Sequence, residues 1–213
     1  MRLPFIRRYP DWLKITYQRL RRLLQKNSVP SHWEKAAVVK KFRKKYGLTV
    51  FVETGTYQGA MIKAIGGLFK NIVSIELGKE LFEKAKQTFS RDRHIDIQHG
   101  DSGALLPSII SQLDAPALFW LDGHYSGGST SKGSLNTPIR QEIQAILASP
   151  IKHHVVLIDD ARCFNGQDDY PTLGEIRSWL NGTNYRLRVA WDIIRITPRR
   201  LVDPVREKPP QGG

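Results

Sequence analysis

Residues 49–59 read Thr49-Val-Phe-Val-Glu-Thr-Gly-Thr-Tyr-Gln-Gly59. A β-branched apolar run that stops at an acid and then turns at two glycines has the form of a strand delivering a carboxylate into a loop. Gly55 and Gly59 let the backbone turn sharply and approach a ligand. Helical spacing of apolar residues resumes over 58–69, so a helix start near Gln58 points its amides at the same space.

Working outward, the alternation repeats. Residues 72–75, 95–98, 117–121 and 154–158 read as further strands, and 78–89, 103–113, 138–148 and 172–180 carry apolar residues at helical spacing. Such β-α alternation predicts a parallel sheet covered by helices on both faces. Near the C-terminus the pattern changes: 185–190 and 192–197 are two strand-like runs joined at Trp191 with no room for a helix, which predicts an antiparallel pair. The expected fold is therefore α/β, a doubly wound, mostly parallel seven-stranded sheet with an antiparallel C-terminal strand pair and N-terminal helices.

In such a sheet ligands bind at the carboxyl ends of the strands, so the residue that follows each strand is informative. Strand one ends in Glu53, strand two in Glu76, strand three in Gly100-Asp101-Ser102, strand four in Asp122-Gly-His124 and strand five in Asp159-Asp160. Carboxylates gathered on one rim repel one another unless a ligand or cation offsets them. A carboxylate at Glu76 suits the two hydroxyls of a ribose. The first loop is not G-x-G-x-x-G, and its acid would repel a pyrophosphate; it suits a ligand that carries positive charge, as S-adenosylmethionine (SAM) does with its ammonium and sulfonium.

These residues, in this order, resemble the class I SAM-dependent methyltransferases, over about residues 48–197. The resemblance implies that Glu53, Gly55 and Gly59 form the methionine-side loop, lined by Thr56 and Tyr57. It implies that Glu76 holds the ribose, that Asp101 with Ser102 beside it meets the adenine amine, and that Asp122 faces the methionine or the catalytic cleft. Placement of Asp122, Asp159 and Asp160 at two neighbouring strand ends further resembles the metal-dependent O-methyltransferases of the catechol and macrocin types, which implies Mg2+ bound by these three acids to orient an acceptor hydroxyl. The chain departs from the catechol type in having Asp160 where an amide is preferred. His124, two residues past Asp122, is the general-base candidate because an imidazole accepts a proton near neutral pH; the competing reading is a hydrogen bond within its own loop. Residues 125–134 are long and glycine-rich, either a lid over the acceptor or an insertion without a role. No Gly-Lys-Ser/Thr follows, so a phosphate-binding P-loop is excluded.

The whole chain has 213 residues and a formal net charge of +13. That charge is not spread evenly. Residues 1–46 hold 14 Lys and Arg against Asp11 and Glu34, a net of +12, which leaves +1 for the rest. Three regions follow: a basic helical extension over 1–46, the catalytic-type domain over 47–200, and a tail over 201–213 expected to be disordered. Within the extension, Tyr17, Leu20 and Leu24 recur at helical spacing with basic residues on other faces, and a second helix runs from the cap Ser31 to Tyr46 with Gly47 as the stop. An apolar stripe with basic flanks either packs on the domain and leaves its charges in water, or meets an anionic partner, a membrane surface, an acidic protein or RNA. No apolar run reaches the roughly 18 residues a spanning helix needs. With no apolar region after the N-terminal charges and a lone Cys163, the expected location is the cytoplasm, peripheral to a membrane surface if the basic helices bind one. The leading functional expectation is SAM-dependent methylation of a hydroxyl on a small molecule, a sugar or natural-product intermediate, with Mg2+ assistance. The rivals are an RNA methyltransferase that grips phosphates with the basic helices, and an inactive binding module of the same fold.

Overall fold

Strands buried at every position must be covered on both faces of their sheet. Val50–Thr54 (β1), Ala117–Leu121 (β4) and Val155–Ile158 (β5) are such strands. They lie at the centre of the sheet in the computed structural model, which describes residues 29–123 and 137–199. Asn71–Glu76 (β2) pairs parallel with β1, and Ile95–His99 (β3) pairs parallel with β2. On the other side β4 joins β1 and β5 joins β4, both parallel. Ile193–Pro198 (β7) runs antiparallel to β5, and Tyr185–Ala190 (β6) closes the edge antiparallel to β7. The order is β3-β2-β1-β4-β5-β7-β6, the mostly parallel seven-stranded sheet that the sequence predicts.

Alternate residues of each strand feed opposite cores, as the two-residue period of a strand demands. Val50, Val52, Phe119, Leu121, Val156 and Ile158 face one side. They pack there with Ser102–Ser111 (α4), Ile139–Ala148 (α5) and Leu173–Trp179 (α6), through residues such as Ile109, Ile143 and Ile176. Phe51, Leu118, Trp120, Val155 and Leu157 face the other side. That side is covered by His32–Tyr46 (α1), Ala60–Ile65 (α2) and Lys79–Thr88 (α3).

Helix α1 has the predicted limits. Ser31 caps it, its backbone N–H and its Oγ both donating to Glu34 Oε2 at 2.9 Å, and Gly47 stops it at φ 65°. The sequence groups this helix with the basic extension; in the structure it delivers Ala36, Val38, Val39 and Phe42 to the second core, leaving Lys41, Lys44 and Lys45 exposed. Helix α2 is shorter than expected. It spans six residues, from Ala60 rather than Gln58, and tightens at Gly66–Leu68 into a 3-10 turn. The first basic helix, His124, the 125–134 loop and the 201–213 tail lie outside the described residues. Among the described residues no helix is long and apolar enough to cross a membrane.

Candidate active site

Register decides whether the strand-end acids share a rim. Thr54 is level with Ile75 and with Leu121, Leu121 is level with Ile158, and Glu76 is level with His99. The carboxyl ends are thus aligned, and main-chain bonds carry the alignment past the strands: Gly55 N–H donates to Ile75 O at 2.9 Å, Asp122 N–H to Thr54 O at 3.0 Å, and Asp159 N–H to Leu121 O at 3.1 Å.

The loop after β1 is held by the two acids nearest to it. Glu76 accepts the Tyr57 N–H at 2.7 Å on one carboxylate oxygen and the Gly78 N–H at 2.8 Å on the other. It therefore bridges the loops after β1 and β2, and each oxygen keeps a lone pair for a ligand hydroxyl. Tyr57, at φ 48°, sits in the left-handed region, and its ring is exposed. Glu53 is buried, accepts from Ser74 Oγ at 2.6 Å, and Ser74 lies 2.6 Å from Thr56 Oγ1. Burial pushes the Glu53 carboxyl up to about 8 against the Ser74 bond, with Asp122 and Glu76 adding repulsion. Gly55, at φ 85°, passes so close to the loop after β4 that a Cβ would lie 2.6 Å from the Asp122 carbonyl oxygen. At Gly59, φ 66°, a Cβ would lie 2.6 Å from the Phe89 ring. Both positions require glycine, and the first presses two ligand-side loops together.

Asp101 caps α4, accepting the Ala104 N–H at 3.2 Å, and remains partly exposed at the rim. Its neighbour Ser102 is buried and donates through Oγ to Glu142 Oε1 at 2.6 Å. From the sequence Glu142 either faces the cleft or is an ordinary surface glutamate; the structure buries it, 1% exposed, between α4 and α5. Ser102 is thus turned toward the helix pair. His154 is likewise structural: Nδ1 accepts the Ala117 N–H at 3.0 Å, so Nε2 donates to Ser149 Oγ, also at 3.0 Å.

The ends of β4 and β5 gather a different group. Asp159 has a fully buried side chain and forms an ion pair with Lys35 of α1. Burial drives the Asp159 carboxyl upward while the ammonium opposes it. Burial also works against the charge on Lys35, yet Asp159, with Asp122 and Asp160 behind it, outweighs that loss and raises the lysine above its ordinary value. Asp160, at φ 53°, accepts from Arg162 Nη1 at 2.7 Å. The same guanidinium pairs with Asp192 in the β6–β7 turn, and the Arg162 N–H donates to Asp192 Oδ1 at 2.8 Å. Tyr170 stands in the field of Asp122 and Asp160, its hydroxyl pushed upward chiefly by burial.

The three acids expected to hold Mg2+ do not fit one. Among the described residues no cluster of three His, Cys, Asp or Glu is arranged for a metal ion. A divalent cation needs several hard oxygens, whereas Oδ2 of Asp159 already has an ammonium beside it and Oδ1 of Asp160 a guanidinium, fixed positive charges that repel a second cation. Lys35 is the residue that sequence reasoning missed. Its signal was present: position 35 lies three, four and seven residues before Val38, Val39 and Phe42, on the apolar stripe of α1.

No known sequence family matches this chain, and no curated protein matches it. Solved structures do. The O-methyltransferase TomG from Streptomyces achromogenes, in complex with SAM, superposes at TM-score 0.58 and 14% identity over 80% of this chain and 81% of its own. An O-methyltransferase from Bacillus cereus, in complex with S-adenosylhomocysteine (SAH), gives TM-score 0.57 and 12% identity over 91% and 93%. A Podospora anserina methyltransferase bound to SAH gives 0.54 and 16% over 93% and 98%. At such identities the likeness is one of fold, and that fold is the class I SAM-dependent methyltransferase fold.

Proposed function

We propose that this chain transfers the methyl group of SAM to a hydroxyl of a small-molecule acceptor. The observation that carries the reading is the clamp at Glu76: a buried carboxylate that fixes the Tyr57 and Gly78 amides, at the strand end where a ribose-binding acid belongs. Around it Glu53, Gly55 and Thr56 offer the methionine side a carboxyl-lined loop, and Asp101 stands at the adenine side. Asp122 lies against Gly55, where the cationic end of the cofactor would lie between two carboxyl groups.

The reaction is a single displacement. With SAM bound, a lone pair of the acceptor oxygen would attack the methyl carbon in line with the carbon–sulfur bond; that bond would break with its electron pair kept by sulfur, and the hydroxyl proton would pass to a base or to water, giving SAH and a methyl ether. The protein contributes alignment and charge placement. His124, the sequence candidate for taking the proton, lies outside the described residues. The anionic-partner reading rests mainly on the basic residues 1–28, which also lie outside them.

Calorimetric titration with SAM and SAH tests this reading without the acceptor. Binding that Glu76→Ala weakens by about tenfold to a hundredfold, the worth of one hydrogen bond to a charged group, is the expected result. Absence of binding to the folded wild-type protein overturns it.

A further inference from the structure

Asp159 places a strict demand on its surroundings. Its side chain is fully buried at the end of β5, and a buried carboxylate must be protonated or given a cation. The chain supplies that cation from 124 positions earlier in the sequence. Lys35 is the fourth residue of α1, near the positive end of the helix dipole, where a cation gains nothing from the helix itself. Its position is nevertheless rigid, because the turns that follow are packed in the core through Val38, Val39 and Phe42 and the turn before is locked by the Ser31–Glu34 cap. The lysine side chain is 18% exposed and that of Asp159 fully buried, so the ammonium meets this carboxylate with little water between. Asp122 and Asp160 interact with the same charge. One fixed ammonium is therefore paired with Asp159 and lies in the field of Asp122 and Asp160, at two adjacent strand ends.

We propose that Lys35 is the resident cation of this cleft, standing in the place a divalent metal would take, and that the cleft works without a metal. The inference rests on the methyltransferase reading only for what the cleft does; the identity of the cation stands on the Lys35–Asp159 contact alone. Lys35 is a positioning residue. It gives Asp159 a counter-charge and draws the β5 end toward α1, and its charge repels any second cation from Asp122 and Asp159. A lysine ammonium is a compact point charge with three donors, suited to several carboxylates at once, whereas the guanidinium of Arg162 is engaged by Asp160 and Asp192.

Manganese binding followed by electron paramagnetic resonance tests the proposal on the full chain, with no acceptor needed. The wild-type protein is expected to take up no stoichiometric Mn2+ up to on the order of 1 mM, the weak end of all-oxygen sites. Lys35→Ala is expected to take up one, and Asp159→Asn in the Lys35→Ala background is expected to abolish it. Lys35→Gln, which keeps a donor for Asp159 without the charge, is expected to behave as Lys35→Ala and serves if the alanine variant folds poorly. A stoichiometric Mn2+ in the wild type that Asp159→Asn removes overturns the proposal, and so does a folded Lys35→Gln that binds none. SAM titration of the same samples separates the two readings: loss of SAM binding with Mn2+ exclusion intact defeats the methyltransferase assignment and leaves the resident lysine standing.

Discussion

Glu53 and His154 give the protein two opposed titrations. The Glu53 carboxyl is raised by burial to about 8, so the folded state holds a proton that the unfolded chain releases near its ordinary value of 4.5. Its contribution is fully present below that ordinary value and is lost as pH rises toward 8, a difference of about 5 kcal/mol at most. His154 is lowered by burial to about 4 from 6.5, so its contribution is present above 6.5 and is lost as pH falls toward 4, roughly 3 kcal/mol. Urea denaturation across pH 4 to 9 is expected to show stability declining toward both ends. Glu53→Gln should flatten the alkaline limb and His154→Gln the acid limb, and unchanged profiles would remove these residues as the cause. The acid at position 53 could be read from the sequence because it ends a strand. Its environment could not, because Ser74 reaches it, with Thr56 behind Ser74, only when β2 lies beside β1. Lys35 and Glu142 escaped for the same reason: their partners, Asp159 and Ser102, are 124 and 40 positions away.

At the scale of elements, loops rather than helices set the candidate site. Gly55 brings the loop after β1 against the backbone after β4, and any side chain there must push Asp122 away. Gly55→Ala is expected to cost about 1–3 kcal/mol of stability from its positive φ alone and to weaken SAM binding further than Gly59→Ala does, because Gly59 faces only the Phe89 ring. Equal SAM affinity in the two variants, measured by calorimetry, would separate Gly55 from the cofactor loop. Strands were the legible elements. Runs such as 117–121 and 155–158 are buried on both faces and so read as unbroken apolar stretches, and the absence of helix length at Trp191 announced the antiparallel pair. Helix α2 was less legible because Leu68 and Phe69 continue the helical spacing of apolar residues after Ile65 while the backbone between them tightens.

Across the whole molecule, α1 belongs to the sheet's cover as firmly as the helices between strands. Val38, Val39 and Phe42 are each worth about 1.5–3 kcal/mol of burial, a sum comparable with the 5–15 kcal/mol by which a domain is stable. Deleting residues 1–28 is therefore expected to leave a cooperative unfolding transition in place. Deleting 1–47 should uncover the Leu118, Trp120 and Leu157 face and give a protein that binds the dye ANS and aggregates. A cooperative, dye-free transition in the longer deletion would show that the sheet does not need α1.

Strand β7 sits between β5 and β6, although it follows both in the chain. On a ribosome, β5 emerges with one hydrogen-bonding edge open, and β6 emerges next with nothing described in the sheet for it to pair with. Only when residues 193–198 appear can β7 bind both at once. Until then the nascent chain presents an unpaired, wholly apolar strand, the kind of edge that recruits other strands or a chaperone. The order of the sheet thus delays completion of the domain until nearly all of its strand-forming sequence has been translated.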